Sequence, residues 1–218
     1  MIDIAGSAAM EARGTMRLTL NRLLEWLAAP PEAEAPPAPA SAETYSVRGF
    51  RVFVENTRPD IATSDVLARL GDALGLIEQY QAWRFRHLER DLVQVRVARF
   101  PCRGAYFPDE RTCLTELTFL ARRDITPATV ASSIVHEGIH ARVDRIGVRR
   151  ENRDRAREER LCRRGELDFG RALPAELGQP VVARAFETLT LADEEVAPDI
   201  DWTEATDRQR AVDRAAGA

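Results

Sequence analysis

Residues 126–147 read TPATVASSIVHEGIHARVDRIG, and the rest of the chain is built around this stretch. The pattern predicts a single helix. Thr126 stands at the N-cap, Pro127 takes the first helical position, where its missing N–H is no loss, and Gly147 stands where a left-handed residue closes a helix. Val130, Ile134, Val135, Ile139, Val143 and Ile146 give the helix a buried side, and Ser132 and Ser133 are small residues one turn before the histidines. His136 and His140 are four residues apart, so their imidazoles lie one turn apart on the same face and can point at one place. Glu137 is rotated by about 100° from His136, which sets it beside that place rather than on it. This HExxH arrangement suits a zinc ion: the imidazoles hold the metal, zinc brings the pKa of a water towards neutrality, and the glutamate accepts the proton as general base. The same short pattern arises by chance on ordinary solvated helices. Here the chain has only 3 histidines, and two of them fall at this spacing on a capped, half-apolar helix, which favours the metal.

A catalytic zinc site takes three protein ligands and keeps one position open. The remaining histidine, His87, lies in the charged run RFRHLERD and reads as a surface residue, so the third ligand is expected to be a carboxylate downstream. ENRDRAREERLCRRGELDFGR, residues 151–171, is the place to look. On a helical wheel its apolar arc is made by Leu161, Cys162, Phe169, Ala172 and Leu173. Glu158 points near the middle of that arc and Glu159 lies at its rim, and either can reach inward. Glu166, two turns beyond Glu159 on the same stripe, and Asp144, one turn beyond His140, are candidates to orient a histidine from outside. Cys162, one turn after Glu159, reads as a small buried residue packing behind the site, with a ligand role in place of Glu159 as the alternative.

In VHEGIH and REERLC the chain resembles the gluzincin metallopeptidases, whose third zinc ligand is a glutamate on a second helix at about this distance beyond HExxH. It also resembles a group of small, functionally undescribed bacterial proteins with an HEGxHAR and RxxEExxC layout. The resemblance spans about the middle half of the chain. It implies Glu159 as the third ligand, a zincin fold and peptidase activity. Two positions depart from the family pattern: Arg142 stands where an apolar residue is usual, and Arg163 stands where an acidic residue often orients a histidine.

Around this centre the chain reads as one domain with appendages, divided at 1–29, 30–43, 44–192 and 193–218. The first part contains a short amphipathic helix over residues 16–29, with Leu20, Leu23, Leu24 and Leu27 at helical spacing. Its plain reading is a docking helix, and its sharper one is attachment to a membrane surface helped by Trp26, for which so short an apolar face is weak. PPEAEAPPAPASAE, residues 30–43, is a Pro- and Ala-rich linker. In the domain, Phe50, Val52 and Val54 alternate as a strand, Thr63 or Ser64 caps a helix carrying Val66, Leu70, Leu74, Ile77 and Tyr80, and 92–100 alternates as a second strand. Residues 112–121 predict a third strand and a candidate edge for pairing with an extended substrate. The expected fold is α+β: a minimal zincin-like domain with a small, mostly antiparallel sheet, a zinc helix and a second helix bearing the glutamate ligand. LPAELGQP reads as a turn, 181–191 as a further helix, and 193–218 as a solvated or loosely docked tail.

Between the second and third strands PCRGAYFPDERTC reads as a loop near the cleft, where Tyr106 and Arg103 are candidate donors to an oxyanion. The net charge of −4 speaks against a nucleic-acid binder, and no apolar run is long enough to span a membrane. Three cysteines, Cys102, Cys113 and Cys162, with no signal-like N-terminus, point to free thiols in a reducing cytoplasm. The expectation is a zinc-dependent hydrolase acting on a peptide or protein, with Glu137 as base. The alternatives are a non-catalytic zinc-stabilised interaction module and a protease narrowed to one regulatory target.

Overall fold

The computed structural model describes residues 43–147 and 154–215. The N-terminal amphipathic segment and nearly all of the Pro/Ala linker lie outside the described residues, as do 148–153 and 216–218.

Alternation along FRVFV buries Phe50, Val52 and Val54 in strand β2 (Phe50–Val54). Strand β1 (Glu43–Val47) folds back on it antiparallel through a two-residue loop, Arg48 and Gly49, at φ of 48° and 85°. Two positive φ angles give the turn whose twist matches that of the strands it joins. Helix α1 (Thr63–Tyr80) buries Val66, Leu70, Ala73, Leu74 and Ile77. Its N-cap is Ala62, which has no polar group to cap with, and the Thr63 hydroxyl, expected as the cap, accepts from Asn56 Nδ2 at 3.1 Å. The charged run after it is a second helix, α2 (Ala82–Asp91), whose buried residues Phe85, Leu88 and Asp91 recur every three. Strand β3 (Gln94–Ala98) then lies parallel to β2, the two helices serving as crossover.

The next segment departs from the sequence reading in two ways. Within the expected loop lies strand β4 (Gly104–Phe107), antiparallel to β5 (Thr112–Glu116), and β5 is parallel to β3. The sheet order is β1-β2-β3-β5-β4, so the sheet is mixed rather than mostly antiparallel, and β4 rather than β5 forms its edge. The third strand also stops early. The Glu116 carboxylate accepts from the Phe119 N–H at 2.7 Å and from the Thr118 hydroxyl at 2.6 Å, capping a short helix, α3 (Leu117–Ala121), where 112–121 reads as continuous strand.

Helix α4 (Pro127–Arg145) follows with Thr126 as N-cap, its hydroxyl accepting from the Thr129 N–H at 3.2 Å, and Gly147 beyond its end at φ 77°. Asp154 caps α5 (Arg155–Ala172) by accepting from the Arg157 N–H. The expected turn LPAELGQP instead opens α6 (Ala175–Leu189), with Pro174 at the N-cap and Pro180 inside, where it forfeits one helical hydrogen bond. After α7 (Asp193–Val196) comes α8 (Trp202–Ala215), a helix with no buried residue that touches the domain at its two ends. Trp202 packs on Phe100, and Arg99 Nη2 donates to Asp213 Oδ1 at 2.7 Å.

Two apolar layers result. Val52, Val95, Val97 and Cys113 belong to the main core with α1, α2 and α4, whereas Ala98, Phe100, Phe107 and Leu114 form a smaller cluster that Trp202 covers. The class is α+β, and no helix of the described residues is long and apolar enough to cross a membrane.

Candidate metal centre

Helix α4 presents the two histidines and α5 brings the acids to them. The approach is close: a Cβ placed on Gly165 of α5 would lie 2.1 Å from Ile139 Cδ1 of α4, so a larger residue there would have to push the Ile139 side chain aside. His136 Nε2 and His140 Nε2 face each other at 3.2 Å. The Glu159 carboxylate spans both, with Oε2 at 3.3 Å from His136 Nε2 and Oε1 at 3.4 Å from His140 Nε2.

The outer nitrogens are held by carboxylates as well. Glu166 Oε1 lies 2.6 Å from His136 Nδ1, and Glu158 Oε1 lies 2.7 Å from His140 Nδ1. Such partners favour a proton on Nδ1, and in the neutral ring that leaves the Nε2 lone pair facing inward, the form a metal takes. The two adjacent glutamates therefore have different jobs, since neighbours on a helix diverge by about 100°: Glu159 faces the shared centre and Glu158 lies behind one imidazole. Arg163 extends the chain outward, donating from Nη1 to Glu166 Oε1 at 2.6 Å. Its guanidinium steadies the acid that does the orienting.

Cys162 also reaches the centre. Its Sγ lies 3.5 Å from His140 Nε2, and one donor atom each from His136, His140 and Cys162 fall within 4.8 Å of one another, so this trio can hold a metal ion.

Charge supports the same reading. Glu137, Glu158, Glu159 and Glu166 surround two imidazoles in a largely buried site, and besides Arg163 on Glu166 their charge is offset by protons on the rings or would be by a bound cation. Burial would lower the His136 pKa, but hydrogen bonds with Glu159 and Glu166 raise it to about 10. His140 is likewise raised well above its ordinary value, against burial, by Cys162 and by Glu158 and Glu159. Glu159 is held far below the usual carboxylate range because its hydrogen bonds to both histidines outweigh burial. The two inner nitrogens, 3.2 Å apart, cannot both carry a proton without repulsion, and a divalent ion between them would remove the conflict.

Glu137 is buried, and that burial raises its pKa against the pull of both histidines. It lies against β4, where a Cβ on Gly104 would come within 3.1 Å of both Glu137 Oε1 and Ser133 Oγ, a contact those side chains would have to ease by a few tenths of an ångström. The nearby Cys102 thiol is pushed up to about 12, by burial first and then by the Glu137 charge.

The remaining candidates have other partners. Both Nδ1 atoms are already taken, and Asp144 accepts from the Tyr106 hydroxyl at 3.3 Å, joining α4 to β4. Arg103 is exposed with its guanidinium 5.6 Å from the Phe119 ring centroid. His87 packs edge-on against Trp83. Arg142 pairs at 3.7 Å with the buried Asp91, together with Arg90 at 2.8 Å, which accounts for a cation where the family pattern is apolar. The sequence offers Glu158 as a rival ligand rather than an orienting acid, and Cys162 as a ligand only in place of Glu159; the structure puts Glu158 behind His140 and the Cys162 thiol 3.5 Å from His140 Nε2. The stripe Glu159, Cys162, Glu166 at spacings of three and four was the available signal.

No protein-family model, curated protein or solved structure matches the chain.

Proposed function

We propose that this chain is a zinc-dependent hydrolase of zincin-like plan that cleaves amide bonds in a peptide or protein. The observation that carries the reading is the meeting of His136 Nε2, His140 Nε2 and the Glu159 carboxylate within 3.4 Å, with Glu137 buried one residue away. Zinc, held by His136, His140 and Glu159, would polarise the scissile carbonyl and acidify a water. Imidazole and carboxylate donors backed by outer acids suit that ion.

Glu137 takes the proton of the attacking water and returns it to the leaving nitrogen. Its burial makes it a stronger base than an exposed carboxylate, closer to what proton transfer near neutral pH needs. Glu166 and Glu158 keep the two rings turned inward while this happens, and Arg163 holds Glu166 in place. The edge strand β4, adjacent to Glu137, offers main-chain groups for an extended substrate, the role the sequence alone had given to 112–121.

A second reading, a zinc-stabilised interaction module, is favoured by one observation, the inward Cys162 that can complete a closed set of donors. A proteome digest profiled for new N-termini separates the two readings and also finds a protease with one target. Cleavages made by the zinc-loaded chain and reduced about 10²–10⁴-fold in Glu137→Gln support the hydrolase. Zinc-loaded protein that produces no cleavage, or equal cleavage by the variant, contradicts it.

A further inference from the structure

Building on the zinc reading above, we propose that Cys162 is a fourth ligand to the same ion, so that the resting site is closed by the thiolate and opens to water only when Cys162 lets go. Helix α5 carries the argument. Its residues 158, 159, 162 and 166 all meet the two histidines, and they divide into an outer and an inner pair. Glu158 and Glu166 bind the outer Nδ1 atoms at 2.7 and 2.6 Å. Glu159 and Cys162, one helical turn apart, reach the inner Nε2 atoms, with Cys162 Sγ 3.5 Å from His140 Nε2.

The inner donors are therefore two imidazoles, one carboxylate and one thiol. Four is the number that completes a structural zinc site, whereas a catalytic site keeps one position open. Thiolate is also the donor that most favours zinc over magnesium or calcium. Cys162 is fully buried, and a cysteine packed there only to fill space has no need to face the imidazoles. The carboxylate of Glu159, at 21% side-chain exposure, is the wetter inner donor and the Cys162 thiol the drier one. Such an arrangement holds the metal firmly and keeps the base idle until the thiolate is displaced.

Cobalt(II) is the probe, because it reports thiolate ligation through an intense near-ultraviolet charge-transfer band and protein coordination through its visible bands. The zinc-free full-length chain is titrated with cobalt chloride, in parallel with Cys162→Ala and with a Cys102→Ala/Cys113→Ala double variant. The expected result is visible bands together with the charge-transfer band in wild type and in the double variant. In Cys162→Ala the visible bands remain and the charge-transfer band is lost. Zinc affinity of that variant falls by more than the roughly 10–100-fold that loss of an outer partner costs. Visible bands without charge transfer in wild type, or a charge-transfer band that survives in Cys162→Ala, overturn the thiolate ligand and leave the three-ligand hydrolase standing. Failure of wild type to take up either cobalt or zinc overturns both. The wild-type and double-variant spectra together decide the point even if Cys162→Ala does not fold: a band kept when Cys102 and Cys113 are both absent comes from Cys162, and a band lost with them overturns the proposal.

Discussion

Glu166→Gln is the substitution that probes the centre most finely, because it leaves every inner donor in place. One oxygen, Glu166 Oε1, accepts from His136 Nδ1 and from Arg163 Nη1, both at 2.6 Å, and the residue is 3% exposed. A glutamine amide oxygen can accept the same two hydrogen bonds without the charge. Both bonds are charge-assisted in the wild type, and neutral ones are about half as strong. His136 then becomes a poorer base and a less firmly oriented ligand. Removing outer partners of this kind costs about 10–100-fold in metal affinity, or about 1.4–2.8 kcal/mol. The assay is zinc competition against a chromophoric chelator at fixed pH, with circular dichroism to establish that the variant is folded. Glu158→Gln, which does the same to His140 Nδ1, is expected to weaken binding in the same range, and Asp144→Asn to leave it unchanged, since Asp144 serves Tyr106. A folded Glu166→Gln protein that binds zinc as tightly as wild type would refute the reasoning.

Other outcomes follow from the same geometry. Glu137→Gln is expected to keep its zinc, because Glu137 is not among the ligands, and to lose about 10²–10⁴-fold in turnover of any substrate found; loss of metal in this variant contradicts the assignment. In the zinc-free protein the folded-state pKa of His136, about 10, lies above its ordinary value, so its contribution to stability is full below about pH 6.5 and fades as pH rises towards 10. Zinc must displace that proton, so the gain in melting temperature on adding zinc is expected to widen between pH 6.5 and 9 and to be accompanied by proton release in calorimetry; a gap that narrows contradicts it. In the scaffold, a Cβ at Gly178 would lie 2.1 Å from the backbone oxygen of Gly170, where no side chain can yield. Gly178→Ala is therefore expected to destabilise by about 1–3 kcal/mol, at about 2–4 °C of melting temperature per kcal/mol in a chain of this size. An unchanged melting temperature contradicts the close packing of α5 on α6.

What could be read from the sequence was what local rules determine. The caps of α4 and the alternation in β2 follow from residues within a few positions of one another and stand where the pattern puts them, whereas Ile146, expected on the buried side of α4, is exposed, and β3 is buried on both faces with Val93 exposed before it. Long-range partners decided the rest. The end of β5 is set by the Glu116 cap, and Arg99 ties Glu116 to α8, residues far apart in the chain. Strand β4 is four residues between prolines and looks like a loop until β5 supplies its hydrogen bonds. Helix α8 has no buried residues, so hydrophobic periodicity misses it; it docks through Trp202 and the ion pair of Asp213.

At the centre, the histidine spacing fixed two donors in advance, whereas the roles of Glu158 and Glu159 depended on the side from which α5 approaches. A helical wheel ranks burial but not direction: Glu158, near the middle of the apolar arc, goes behind His140, and Glu159, at its rim, faces both rings. The inward thiol of Cys162 needed the same approach direction to be known.

The central claim is that these residues hold a metal ion. Its most direct test is the metal content of the purified full-length protein by mass spectrometry, with His140→Ala prepared in parallel. About one zinc per chain, lost in the variant, is the expected result. No metal in the wild type, and none retained after zinc is added, would contradict it and leave an α+β protein whose paired histidines answer to their carboxylates alone.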